Sequence, residues 1–251
     1  MSRYFIYMSY LGTAYCGWQR QPNGTSVQQR VEEALATVLR HPSPVVGAGR
    51  TDAGVHARMM VAHMDGGDVM REELPALADR LDRLLPGDIA VHKIVPVRPD
   101  AHARFDAVSR TYQYAVSGAK DPFSREWVHR MSLREMDFAR MNEACGVLRE
   151  YTDFTSFSKL HTDVKTHDCR INHAGWRREG SLWVFTICAD RFLRNMVRAI
   201  VGTLFEVGRG RRSVDGFQQV IEAKDRCRAG SSADARGLAL ACIAYPDDIF
   251  I

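Results

Sequence analysis

The order in which strand-like and helix-like segments follow one another restricts this chain most. Residues 3–10 are rich in Tyr, Phe, Ile and Met and read as a strand, followed by a turn with Gly12 and Gly17. Over 26–40, Val27, Val31, Leu35, Val38 and Leu39 recur at helical spacing, and Thr25 with Gln28, or Ser26 with Gln29, can form the capping box. The stretch from His41 to Pro44 ends that helix. Short strands are expected at 45–49 and 58–64. A helix through Leu77, Leu81, Leu84 and Leu85 is closed by Pro86-Gly87, and strands follow at 89–97 and 110–116. Strands and helices are thus mixed without a β-α-β-α alternation. That argues against a doubly wound parallel sheet and for an α+β sheet with helices packed on one side.

The loop from Gly118 to Ser124 is the best candidate boundary. Beyond it, Phe138, Met141, Cys145 and Leu148 mark a helix, and 169–177 with 181–189 read as a hairpin turning at Arg178-Glu179-Gly180. Residues 192–207 form a long helical pattern with Phe192, Met196, Ile200 and Leu204 on one face, Ser213 caps a helix running to Ala223, and LALACIAY ends the chain as a strand. Each half therefore offers strands plus two helices. The expected fold class is α+β, with two similar lobes, residues 1–117 and 118–251, whose antiparallel or mixed sheets meet at a central cleft.

Composition excludes more than it selects. Hydrophobic residues make up 45% and charged residues 25% of the 251, ordinary for a globular protein able to bury a core without staples. No apolar run reaches the roughly 18 residues of a membrane span, and the N-terminus lacks the order of a signal peptide, so a cytoplasmic protein with no membrane partner is expected. Six cysteines stand at 16, 145, 169, 188, 227 and 242 with no C-x-x-C pair, and reduced thiols are the default. A net charge of +4 permits a nucleic acid partner without demanding one. Arg191, Arg194, Arg198, Arg209, Arg211 and Arg212 crowd one stretch, which reads equally as a solvated face or as a surface for a polyanion.

The densest motif is Gly47-Ala48-Gly49-Arg50-Thr51-Asp52-Ala53-Gly54-Val55-His56-Ala57. Its glycines allow sharp turns and close approach of a ligand. Were the segment extended, Arg50 and Asp52 would point to one face and set a guanidinium beside a carboxylate. A turn in which Asp52 bonds its own backbone and Arg50 is solvated fits the same spacing.

GRTDAGVHA resembles the signature of the TruA family of tRNA pseudouridine synthases, and further segments fall in that family's order. They are GTAYCGWQRQPNGTSVQ near the start, LPGDIAV at 85–91, HARFDAVSRTYQY at 102–114, DFTSF at 153–157, NMVRAIVGTLFEVG at 195–208 and GLALACIAYP at 237–246. The resemblance spans nearly the whole chain. It implies the pseudouridine synthase fold and an isomerase that converts uridine to pseudouridine at positions 38, 39 and 40 of the tRNA anticodon stem-loop. It also implies a homodimer that uses neither cofactor nor metal.

The resemblance assigns roles residue by residue. Asp52 is the catalytic carboxylate, a residue type already ionised at neutral pH and suited to positive charge building on a sugar. Arg50 holds the flipped state of the uridine, whose unstacking costs a few kcal/mol. Tyr112, in R-x-Y-x-Y, stacks on the uracil. Arg198, in M-V-R, pairs with the catalytic aspartate, and Leu240 lines the uracil pocket. His102, Arg104 and Phe105 fall in a segment that touches RNA in the family, and Lys120, His161 and Lys165 stand where other contacts occur. Taken without the resemblance, Tyr112 and Leu240 read as core and Arg198 as surface.

Four places depart from the family pattern: Leu11 stands where Asp is usual, Met59-Met60 where Gly-Gln is favoured, Asp82 where Asn is favoured, and Asp234 where Pro is frequent. Two other readings compete. One is a catalytically inactive tRNA-binding protein of the same fold. The other is a metal-dependent hydrolase using His161, His167, Cys169 and His173, whose spacing fits no standard zinc pattern.

Overall fold

The computed structural model describes residues 2–22, 24–67, 69–159 and 165–251. They form two compact units, Met1–Val108 with Leu240–Ile251, and Ser109–Ala239.

In the first unit, strand β1 (Arg3–Tyr10) is the middle of an antiparallel set. It pairs on one side with β3 (His56–Asp65), from Arg3↔Asp65 to Tyr10↔Ala57, and on the other with β4 (Ile89–Val97), from Arg3↔Val97 to Tyr10↔Ile89. A two-residue strand, β2 (Val46–Gly47), pairs antiparallel with β3. Along β1, Tyr4, Ile6, Met8 and Tyr10 are buried on one face, while on the other Phe5 is buried and Arg3, Tyr7 and Ser9 are half-exposed. Helix α1 (Val27–Leu39) begins where the Ser26 hydroxyl accepts from the Gln29 N–H at 3.2 Å, and it buries Val27, Val31, Ala34 and Leu35. Helix α2 (Leu74–Leu84) has Pro75 in its first turn, buries Leu74, Leu77, Ala78 and Leu81, and packs on β4 and α1. Asp82 acts structurally, since its carboxylate accepts the Val91 N–H at 2.8 Å and ties α2 to β4.

In the second unit, β5 (Ser109–Ser117) pairs antiparallel with β8 (Leu182–Ala189), which pairs antiparallel with β7 (Ile171–Glu179). Short β6 (His129–Arg130) joins β5 in parallel. The β7–β8 hairpin turns at Gly180, whose φ of 59° suits a residue without a side chain. Helix α3 (Phe138–Val147), capped by Asp137, packs on β7 and on α4 (Met196–Gly208). Nearly all of α4 is buried, around a core that includes Phe157, Phe185, Ile200, Leu204 and Phe217. Helix α5 (Val214–Glu222) starts at Ser213, whose hydroxyl accepts the Gly216 N–H at 2.9 Å.

The α+β class holds in each unit, while their limits differ from the expected 1–117 and 118–251. Residues 109–117 are committed to β8 through an unbroken register from Arg110↔Ala189 to Val116↔Trp183. The last strand, β9 (Leu238–Ala244), passes from one unit to the other along the chain. Its continuation is fixed to the first unit by the Val108 N–H on the Ala244 carbonyl at 2.9 Å, the Tyr245 hydroxyl on the Ala103 carbonyl at 2.5 Å and the Arg98 N–H on the Ile249 carbonyl at 2.9 Å. The expected strand at 45–49 shrinks to Val46–Gly47. The helix expected from 192 begins only at Met196, because Asn195 adopts a left-handed conformation, with φ 65°.

Candidate active site

The segment from Gly49 to Val55 joins β2 to β3 as an irregular loop. Its backbone turns at Asp52, where the Val55 N–H donates to the Asp52 carbonyl at 3.1 Å and Gly54 takes a φ of 76°. Neighbouring backbone then clamps the loop. The Trp18 N–H donates to the Thr51 carbonyl and the Gly54 N–H to the Tyr15 carbonyl, both at 3.3 Å. Gly17, at φ 96°, lies so close that a Cβ there would run into the Thr51 carbonyl oxygen. Gly12 is crowded in the same way by the Val55 carbonyl, and its N–H donates to Nδ1 of the buried His56 at 2.9 Å. The buried Thr51 hydroxyl bonds the Tyr10 hydroxyl at 2.8 Å, and the Tyr10 ring stacks on Trp18. The loop thereby carries a half-buried Asp52 and an exposed Arg50 on a rigid support.

A second loop of the same unit holds His102, Arg104 and Phe105. His102 is half-buried, its ring 4.6 Å from that of the buried His63 and 4.3 Å from that of Phe105. The Phe105 ring is 73% exposed with the Arg104 guanidinium 5.6 Å above it. Burial is the main cause that holds both imidazoles below the usual range. His63, with His102 and Arg3 nearby, is held at about 4 against the opposing pull of Asp65 and Asp106, and His102 is lowered as well. Leu240 also belongs to this unit and is buried, at 1% exposure.

Tyr112, Arg198, Lys120 and Lys165 belong to the second unit. Tyr112 sits on β5 opposite Ile187, half-buried, its ring edge-on to Phe192 at 5.1 Å. Arg198 lies in the first turn of α4. Its Nε donates to the Ala233 carbonyl at 2.7 Å, and its own carbonyl accepts the Ala233 N–H at 2.9 Å. That close apposition depends on Gly202, where a Cβ would meet the Ser231 carbonyl. Lys120 and Lys165 are exposed, and His161 lies outside the described residues. At Asp234, in the place of the family's proline, the carboxylate accepts the Arg236 N–H at 2.8 Å and makes the local turn.

Of the metal-hydrolase set, Cys169 is buried, and that burial pushes its thiol up to about 12. Sequence reasoning missed His63, Thr51, Tyr10, Phe192 and Asp190. Asp190 organises a basic edge of the second unit: its carboxylate accepts the Arg170 and Arg191 N–H groups at 2.8 and 2.6 Å, and its carbonyl accepts from Arg110 at 2.9 Å. Its position just after β8, before the arginine-rich stretch, was the available signal.

A family model described as tRNA pseudouridine synthase matches residues 6–106 and 151–246. The chain belongs to the tRNA pseudouridine synthase family. Its relatives include proteins named tRNA pseudouridine synthase A from Parabacteroides distasonis, 63% identical over 100% of this chain and 98% of its own length, and from Bacteroides thetaiotaomicron, 59% identical over 100% and 93%. Another, from Citrifermentans bemidjiense, is 40% identical over 96% and 97%. As a tRNA pseudouridine synthase the protein is an isomerase, converting uridine in tRNA to pseudouridine. Among the described residues, no helix is long and apolar enough to cross a membrane.

Proposed function

We propose that the protein isomerises uridines 38, 39 and 40 of the tRNA anticodon stem-loop, in the cytoplasm and as a homodimer, with Asp52 as the catalytic carboxylate. The observation that carries this reading is the Asp52 loop. It holds a half-buried carboxylate between a bond from the Trp18 N–H to the Thr51 carbonyl and one from the Gly54 N–H to the Tyr15 carbonyl, under the close approach of Gly17, so the acid stays aimed while an RNA arrives.

The reaction breaks the bond from ribose C1′ to uracil N1 and forms one from C1′ to C5. C5 gives up a proton and N1 gains one. Nothing is oxidised or reduced, so the chemistry asks for no redox cofactor. A carboxylate stabilises the positive charge that builds on the sugar, or bonds to it. Arg50, exposed beside Asp52 in sequence, holds the extruded state, since an unpaired gap in the stem costs a few kcal/mol. Tyr112 offers a ring to the uracil and a hydroxyl to the C5 proton, Arg198 a guanidinium that favours the charged acid, and Leu240 an apolar surface. Arg104, Phe105, Lys120 and Lys165, together with the His102 segment, contact the RNA and set its position rather than read its sequence.

The test is pseudouridine formation on an unmodified tRNA carrying uridines at the three positions. Asp52→Asn is expected to lower turnover by about 10³-fold or more while the tRNA Kd stays within about threefold, because phosphate contacts carry affinity. Equal loss of both would make Asp52 structural. A wild-type protein that binds tRNA and forms no product would favour the inactive tRNA-binding protein.

A further inference from the structure

The loop Ala101–Asp106 is tied at every backbone N–H and at the Ala101, His102 and Ala103 carbonyls, and most of the ties come from side chains. Arg3 donates to the Ala101 carbonyl at 3.0 Å, and the His102 N–H donates to the Asp106 carboxylate at 2.7 Å. The Ala103 N–H donates to Nδ1 of His63 at 3.0 Å. The Arg104 and Phe105 N–H groups both donate to Nδ1 of His102, at 3.1 and 3.3 Å. Three successive N–H groups thus end on two imidazole nitrogens, which accept only while they carry no proton. The two rings meet edge-on at 4.6 Å, and His63 is only 7% exposed. What the loop presents outward is an exposed aromatic ring with a guanidinium over it, a pair suited to stack on a nucleobase and to meet a phosphate.

We propose that His63 and His102 are positioning residues for tRNA binding: by accepting the Ala103, Arg104 and Phe105 N–H groups they fix the loop that offers the Phe105 ring and the Arg104 guanidinium to the RNA. His102 then acts through its neighbours, with its Nδ1 committed to the backbone. His63, on β3, anchors the loop to the sheet that also leads into the Asp52 loop. This rests on the reading of the protein as a tRNA-modifying enzyme.

Asparagine separates positioning from direct contact, because its side-chain oxygen accepts the N–H two residues on in the manner of an Asx-turn and carries no ring. The experiment measures tRNA Kd at fixed salt, and KM and kcat for pseudouridine formation, for wild type, His102→Ala, His102→Asn and Phe105→Ala, with circular dichroism confirming fold. His102→Ala is expected to raise Kd and KM about tenfold with kcat changed less than threefold. His102→Asn should return within about threefold of wild type, and Phe105→Ala should match His102→Ala without further loss in the double variant. The proposal falls if His102→Asn stays as weak as His102→Ala, if Phe105→Ala, an exposed change that leaves the fold intact, binds like wild type, or if the two losses multiply. Wild type that binds tRNA without converting it would overturn the reaction and leave these binding arms readable. Absence of any tRNA binding would overturn both.

Discussion

The loops 49–55 and 101–106 lie in one unit, each presents an arginine to solvent, and they are held by different means. In the first, backbone bonds to backbone, and glycines at 12 and 17 let the strands of chain approach closely enough to do so. In the second, side chains of Arg3, His63, His102, Asp106 and Tyr245 take up the backbone groups one by one. A loop held by backbone bonds does not depend on a titrating acceptor, and it is intolerant of an added carbon where the chain segments approach closely, at Gly12 and Gly17. A loop held by imidazoles depends on the protonation of its supports.

The largest effect should come from breaking the backbone clamp. Gly17→Ala places a Cβ against the Thr51 carbonyl oxygen and 3.1 Å from the Asp52 carbonyl carbon, at a φ of 96° that a side chain disfavours. Urea unfolding is expected to show a loss of about 3 kcal/mol or more, and turnover should fall with it. Gly49→Ala is the control within the motif itself: a Cβ there meets nothing within 4 Å, and stability should hold within about 0.5 kcal/mol. If the two variants behave alike, close approach does not fix the loop.

That pair also marks how far the sequence could be read. The density of glycines drew attention to 47–57, while the two glycines that let the clamp form, Gly12 and Gly17, stand thirty and more positions away, where they read as a turn after the first strand with nothing to tie them to that motif. Regular elements were legible where period and caps agree: 3–10 and 89–97 are the observed strands, and Ser26 caps α1. The pattern failed at 192–195, where Phe192 falls in phase with Met196 although Asn195 is left-handed, because periodicity records which side chains are apolar and not the backbone between them. His102 was legible only as a polar residue in a segment resembling an RNA contact. Its use as a backbone acceptor depends on His63, which is distant in sequence and reads as one more strand position. Tyr112 and Arg198 stood out through the family resemblance alone, since a half-buried strand tyrosine and a helix arginine have no spacing that sets them apart.

An intermediate effect should separate the loops by pH. His63 is held at about 4, mainly by burial, against an unfolded value of about 6.5. Between these values the unfolded chain binds more protons, so stability rises with pH across that window, is complete above about 6.5 and is lost as pH falls towards 4. His63→Gln keeps an acceptor and removes the titration. Urea unfolding at pH 4.5, 5.5 and 7.5 should show wild type losing about 2 kcal/mol more than His63→Gln over that span. Parallel curves would mean that the second loop is held as the first is, and the contrast between them would fail.

The smallest effect tests whether the first loop is held by backbone alone. Among the described residues, Thr51 has one side-chain tie, between its hydroxyl and that of Tyr10 at 2.8 Å, inside a region where both residues are buried. Thr51→Val keeps the shape and removes the bond. A typical net hydrogen bond contributes about 1 kcal/mol, which for a chain of this size lowers Tm by roughly 2–4 °C. Turnover should stay within a few-fold of wild type, because the Trp18 N–H still reaches the Thr51 carbonyl and the Gly54 N–H still reaches Tyr15. Thr51→Ser should recover most of the loss. A Thr51→Val defect as large as that of Gly17→Ala would show that a side chain aims Asp52 after all. The two loops would then differ only in which side chain does the holding.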